Sequence, residues 1–157
     1  MNKIIMLIGA PASGKSTHAE KLAAEHNAVI LSTDRIRAAL YGKESIQGSW
    51  SDIESILYKD IKNAIKANKN IILDSTHYKK EFRAKIINKF SWDVLGANSS
   101  EFSAYYFNYP FHLIYSRNKN RPRRVPFEVL AAMYKELKLR PPLLSEGFKS
   151  IKKMYAS

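Results

Sequence analysis

The stretch GAPASGKST, Gly9 to Thr17, has the spacing G-x-x-x-x-G-K-[ST], and the chemistry of that spacing is a phosphate cradle. Glycines at positions 9 and 14 let the backbone N–H groups of Ala12, Ser13 and Gly14 turn inward onto phosphate oxygens. Lys15 is long enough to reach the β- and γ-phosphates of a nucleoside triphosphate, Ser16 offers a hydroxyl to Mg²⁺, and Thr17 stands near the α-phosphate. The alternative, a glycine-rich turn with no ligand, does not account for the apolar run IIMLI before the motif or the helical pattern HAEKLAAEH after it.

A cradle alone does not say what receives a phosphoryl group, and three further segments bear on that. LSTDRIRAAL places Asp34 and Arg37 just past a second apolar segment, at the carboxyl edge where α/β sheets bind ligands. A carboxylate there can take the proton of an attacking hydroxyl, and an arginine one helical turn on can hold an anionic acceptor. The alternative for Asp34 is capping of a helix that begins at Arg35. IILDSTH ends a third segment with Asp74, either a carboxylate that meets magnesium or its waters, or a turn residue at the end of a strand. Ser75, Thr76 and His77 either line the same site or satisfy the turn. RNKNRPRRVP, Arg117 to Pro126, holds four arginines and a lysine within eight residues. Arg117 and Arg121 share a face if their helix persists, and Pro122 makes the stretch a candidate lid that delivers arginine charge to a transferring phosphoryl group. The alternative is a solvated basic loop.

These residues need a scaffold, and the apolar pattern supplies one. Short β-branched runs at Lys3 to Ile8, Ala28 to Leu31, Asn70 to Leu73 and Phe102 to Phe107 alternate with helical stretches, which predicts an α/β fold with a mostly parallel sheet. Ser51 and Glu54 stand at capping-box spacing before the apolar stripe Ile53, Ile56, Leu57, Ile61 and Ile65. Further helices are predicted over Lys79 to Lys89, Phe111 to about Asn120, and onward from Pro126 until Pro141 and Pro142 stop the last. The tail Glu146 to Met154 is a candidate final strand. Tyr41 to Trp50 and Ser91 to Ser100 read as loops. Tyr105, Tyr106, Phe107, Tyr109 and Phe111 fit core packing better than base stacking, and His18, His26 and His112 lack metal-ligand spacing.

A chain of 157 residues fits one domain, and a globule of that length buries roughly 70% of the surface its unfolded chain exposes. With no cysteine, neither disulfides nor thiolate metal sites are available, which points to a reducing compartment and hence the cytoplasm. No segment approaches the roughly 18 apolar residues of a membrane helix. The net charge is +12, of which residues 103–157 contribute +8 through 11 Lys and Arg against 3 Asp and Glu. Such asymmetry suits a polyanionic partner.

With those residues in place, the chain resembles the kinase domain of the phage-type polynucleotide 5′-kinase family, within the small P-loop kinases. The likeness lies in GAPASGKST, the D-x-x-R of Asp34 and Arg37, ILDST around Asp74, and RNKNRPRRVPFEVLAAMYK. The resemblance implies a three-layer P-loop kinase fold with an arginine-rich lid at about 117–126. It implies Lys15 and Ser16 on ATP and Mg²⁺, Asp34 as base for a 5′-hydroxyl, Arg37 on an acceptor phosphate, and Arg121 with Arg117 at the donor phosphates. The lid is one residue shorter than the family's, and the region between Arg37 and Asp74 is more compact. The expectation is a stand-alone kinase of residues 1–157 acting on RNA or DNA ends, with separate repair enzymes as partners. The rivals are a kinase for a small metabolite, nucleoside, antibiotic or aminoacylated tRNA, and an ATP-binding switch.

Overall fold

The computed structural model describes residues 2–43, 48–91, 100–122 and 124–155. Much of the two expected loops, at 44–47 and 92–99, lies outside the described residues, as does Arg123 of the lid.

Five strands, Lys3–Ile8 (β1), Ala28–Ser32 (β2), Asn70–Asp74 (β3), Glu101–Phe107 (β4) and Ser150–Met154 (β5), form one sheet in the order β2-β3-β1-β4-β5. Every pairing is parallel. β1 and β3 are buried at consecutive positions, so both faces of the sheet are covered, as the unbroken apolar runs require. Ile4, Met6, Leu7, Ile8, Ile71 and Ile72 are at 0% exposure, each stabilising the fold by about 1.5–3 kcal/mol through burial. The tail forms the predicted last strand, beside β4 at the sheet edge.

Among the described residues six α-helices, Lys15–His26 (α1), Thr33–Tyr41 (α2), Trp50–Lys66 (α3), Lys80–Phe90 (α4), Phe111–Lys119 (α5) and Phe127–Leu139 (α6), connect these strands. α3 buries Ile53, Leu57, Ile61 and Ala64 as one stripe. Its predicted capping box is not made: the N-cap is Ser49, and Ser51 falls inside the first turn. Glu54 instead accepts from the Trp50 indole Nε1 at 2.9 Å and from Lys85 Nζ at 2.6 Å. A tertiary contact with α4 has taken the carboxylate that the local pattern reserved for a cap.

The register places the site. Leu7 pairs with Asp74 and Asp74 with Ser32, so the segments leaving β1, β2 and β3 emerge at one edge. Between β3 and β4 the chain crosses from one side of β1 to the other, which makes β1 the point where the winding reverses and a crevice opens.

Candidate active site

The segment leaving β1 is shaped by two left-handed residues, Ala12 at φ 65° and Gly14 at φ 88°. Left-handed residues alternating with ordinary backbone are the pattern that turns successive N–H groups toward one side of a loop. A Cβ on Gly9 would stand 2.7 Å from Ser13 Oγ and 2.9 Å from Phe107 Cβ, so only glycine fits where the loop crosses β4. α1 starts with Gly14 as its N-cap and no side chain capping it, and its first turn carries no acidic residue. Its uncapped amino end is suited to an anion. Lys15 is 8% exposed, and its ammonium donates to the carbonyls of Gly9 at 2.9 Å and Ala10 at 2.8 Å. Those bonds hold the charge inside the curl.

Ser16 Oγ donates to Asp74 Oδ2 at 3.1 Å, which brings together the two groups expected at a metal. Burial lifts the Asp74 carboxyl above its usual range, with the Lys15 charge and the Ser16 hydrogen bond pulling the other way and the Asp34 charge adding to the lift. His77, at the end of the same segment, is buried at φ 48° and donates from Nδ1 to the Leu7 carbonyl at 2.6 Å. Burial drives its pKa down to about 4. Thr76 accepts from Gly9 N–H at 3.0 Å and Ser75 from the Thr33 hydroxyl at 3.2 Å, so these residues brace the crevice while also lining it.

Asp34 does not cap α2. Ser32 is the N-cap and accepts from Arg35 N–H at 3.3 Å, which places Asp34 in the first turn with its carboxylate turned to Arg37. Arg37 NH1 donates to Asp34 Oδ1 at 3.0 Å, and the buried Nε of the same guanidinium has no acceptor among the described residues.

On the other side of β1, α5 ends at Lys119, so the helix does not persist to Arg121 and the two arginines do not share a helical face. Both reach the crevice nevertheless. Arg117 lies over the Tyr109 ring at 5.2 Å, with its NH1 3.9 Å from where a Gly14 Cβ would stand. Asn118, 5% exposed, donates to the Val125 carbonyl at 2.8 Å and accepts from Val125 N–H at 3.0 Å, tying down the far end of the arginine segment. The sequence shows Asn118 only as a polar residue inside a helical pattern. Its one signal is Val125, an apolar residue among arginines that must be anchored somewhere.

One cavity of about 1140 Å³ is lined by Ala12 to Thr17, Asp34, Arg37, Asp74, Arg117 and Arg121; Gly9 is not part of the lining. Across this part of the fold, a family model described as an AAA domain matches residues 4–140. The chain belongs to this AAA-domain P-loop kinase family. The chain is 31% identical over 139 residues to the L-seryl-tRNA(Sec) kinase of Methanococcus maripaludis, a match that covers 85% of this chain and 51% of that protein. The chain therefore spans about half the length of this curated relative. Among solved structures, it resembles a chain of the Pnkp1/Rnl/Hen1 RNA repair complex, with a TM-score of 0.76 at 20% identity over 88% of this chain and 44% of that one. It also resembles a sugar kinase from Janibacter sp. HTCC2649, with a TM-score of 0.68 at 15% identity over 99% of this chain and 86% of that one. These likenesses show the fold, a five-stranded parallel sheet flanked by helices, while the named acceptors range from RNA-borne groups to sugars. No described helix of the chain is long and apolar enough to cross a membrane.

Proposed function

We propose that this AAA-domain kinase moves the γ-phosphoryl group of ATP to the 5′-hydroxyl end of RNA or DNA. The observation that carries this reading is the Asp34–Arg37 pair facing the phosphate loop across one crevice. Arg37 offers a buried, unmatched N–H beside the carboxylate, which suits an acceptor that brings a phosphate close to its reacting hydroxyl. A nucleotide end has that form. A neutral sugar does not.

Each residue then has a task. Backbone N–H groups at Ala12 to Gly14 and the Lys15 ammonium hold the donor phosphates, and Thr17 stands near the α-phosphate. Asp34 takes the proton as the acceptor oxygen bonds to the γ-phosphorus and the bond to the β-phosphate oxygen breaks, releasing ADP. Arg121, with Arg117, neutralises charge on the transferring group. Ser16 and Asp74 fit Mg²⁺, since they present two hard oxygens at one point and that ion commonly takes one or two protein oxygens, leaving the rest to phosphates and water. When bound, Mg²⁺ supplies charge neutralisation along the triphosphate.

Three further expectations belong to this reading: residues 1–157 act as one kinase domain, separate end-repair enzymes are its partners, and a reducing, cytoplasmic setting suits a chain without cysteine. The seryl-tRNA(Sec) kinase relative favours a second reading, in which the same Asp34 chemistry acts on an aminoacyl hydroxyl carried by tRNA. The test incubates the protein with Mg²⁺, γ-labelled ATP and an oligonucleotide bearing a 5′-hydroxyl, beside the same oligonucleotide already 5′-phosphorylated. Label on the first alone is expected. Equal label on both, or on neither while ATP still binds, removes the 5′-end assignment.

A further inference from the structure

The strand order divides the crevice into two halves. The phosphate loop, Tyr109, Arg117 and Arg121 follow β1 or β4, whereas Asp34, Arg37, Trp50, Tyr78 and Phe82 follow β2 or β3. The second half is the acceptor half, and its wall is aromatic. The Trp50 ring, on the first turn of α3, stacks on Phe82 of α4 with centroids 5.4 Å apart and planes at 29°. Tyr78 meets Phe82 edge-on at 6.2 Å. All three line the cavity that holds Asp34 and Arg37.

The indole is pinned rather than merely packed. Its Nε1 donates to Glu54 Oε2 at 2.9 Å, and Lys85 Nζ holds the other Glu54 oxygen at 2.6 Å. Lys79 sets its ammonium 5.3 Å from the Phe82 ring centre. Trp50 still keeps 36% of its surface exposed, so the pinning fixes a large flat ring at the edge of a cavity without burying it. Packing α3 against α4 accounts for Phe82. It does not account for a solvent-facing tryptophan with a locked tilt.

We propose that Trp50, backed by Phe82 and Tyr78, forms a stacking subsite for the terminal nucleobase of the acceptor strand. The proposal rests on the 5′-end reading above and extends it. Every base has a π-face, so such a platform accepts nucleic-acid ends with little regard to sequence, while Arg37 holds the neighbouring phosphate.

The experiment compares two 5′-hydroxyl oligonucleotides that differ only at the 5′ residue, one with its base and one abasic, using the full chain and its variants Trp50→Ala, Trp50→Phe and Phe82→Leu. The native protein is expected to show a KM on the order of 10-fold lower for the base-bearing end, with kcat little changed. Trp50→Ala erases that difference by raising only the base-bearing KM. Trp50→Phe restores most of it, and Phe82→Leu, which keeps the apolar packing, loses part. Equal KM values for the two ends in the native protein, or a Trp50→Ala loss that falls equally on both, overturns the subsite and leaves the 5′-end kinase standing. If the native protein labels neither oligonucleotide while binding ATP, the 5′-end reading falls and the subsite falls with it.

Discussion

In the proposed transfer Lys15 and Asp34 act on opposite ends, and their substitutions therefore separate. Lys15→Ala and Asp34→Ala are each expected to lower turnover by at least about 10²-fold. Nucleotide titration distinguishes them: ATP affinity is expected to survive in Asp34→Ala and to be largely lost in Lys15→Ala, because only Lys15 belongs to the phosphate-loop motif. Full transfer by Asp34→Ala would remove its role as base. His77 makes a separate prediction at this scale. Its imidazole titrates near 6.5 in the unfolded chain and near 4 in the fold. Both states are neutral above 6.5, so this stability is intact there and is lost as the pH falls from 6.5 to about 4, by up to about 3 kcal/mol. Asp74 acts in the opposite sense, since its raised carboxyl favours the fold at low pH and that contribution is lost as the pH rises. His77→Asn, whose side chain tolerates the positive φ, isolates the histidine: its melting temperature should fall less steeply than the native protein's between pH 7 and pH 4.

At the scale of elements, the joint between α4 and the segment after α6 is the feature that sequence patterning reached least. Arg83 is at 0% exposure, pairs with Glu146 at 2.8 Å, and donates to the carbonyls of His77 and Arg140, both at 2.9 Å. Glu146 in turn accepts from Leu143 N–H at 2.7 Å. The crevice segment at His77 is thus fastened to the far end of the chain. Arg83→Ala leaves a buried carboxylate unpaired and is expected to cost about 3–5 kcal/mol, roughly 10 °C in melting temperature. The double variant Arg83→Met, Glu146→Leu should recover much of that loss. A thermal shift series checks both. The clue was present, since Arg83 begins the stripe 83, 86, 87, 90 that α4 buries, but an arginine on an apolar stripe does not reveal its partner 63 residues away. β1 and β3 were legible because parallel strands covered on both faces must be continuously apolar. The caps were not: Ser32 displaced Asp34 and Ser49 displaced Ser51, as several short polar residues compete near each helix start and tertiary contacts such as Trp50 on Phe82 decide among them.

For the whole molecule, charge and topology bear on the acceptor together. The net charge of +12 falls mainly in residues 103–157, which include Arg117 on α5 and Arg121 beyond it, both at the crevice. Transfer to an oligonucleotide should weaken steeply between about 50 and 200 mM salt, because each phosphate neutralised on a single strand adds about 0.7 to the slope of log affinity against log salt. Phosphorylation of a neutral small acceptor should change far less. The phosphate loop was legible as a motif, since its backbone geometry needs glycine at fixed spacing, whereas the proposed division into donor and acceptor halves depends on strand order, which no local pattern encodes. The measurement that goes furthest is the chemical position of the transferred group. γ-Labelled ATP is supplied with a mixture of 5′-hydroxyl RNA and seryl-tRNA, and the products are digested to mononucleotides and free amino acids. Label is expected in the nucleoside 5′-monophosphate that came from the hydroxyl end. Label in O-phosphoserine, or only in released phosphate, would contradict it.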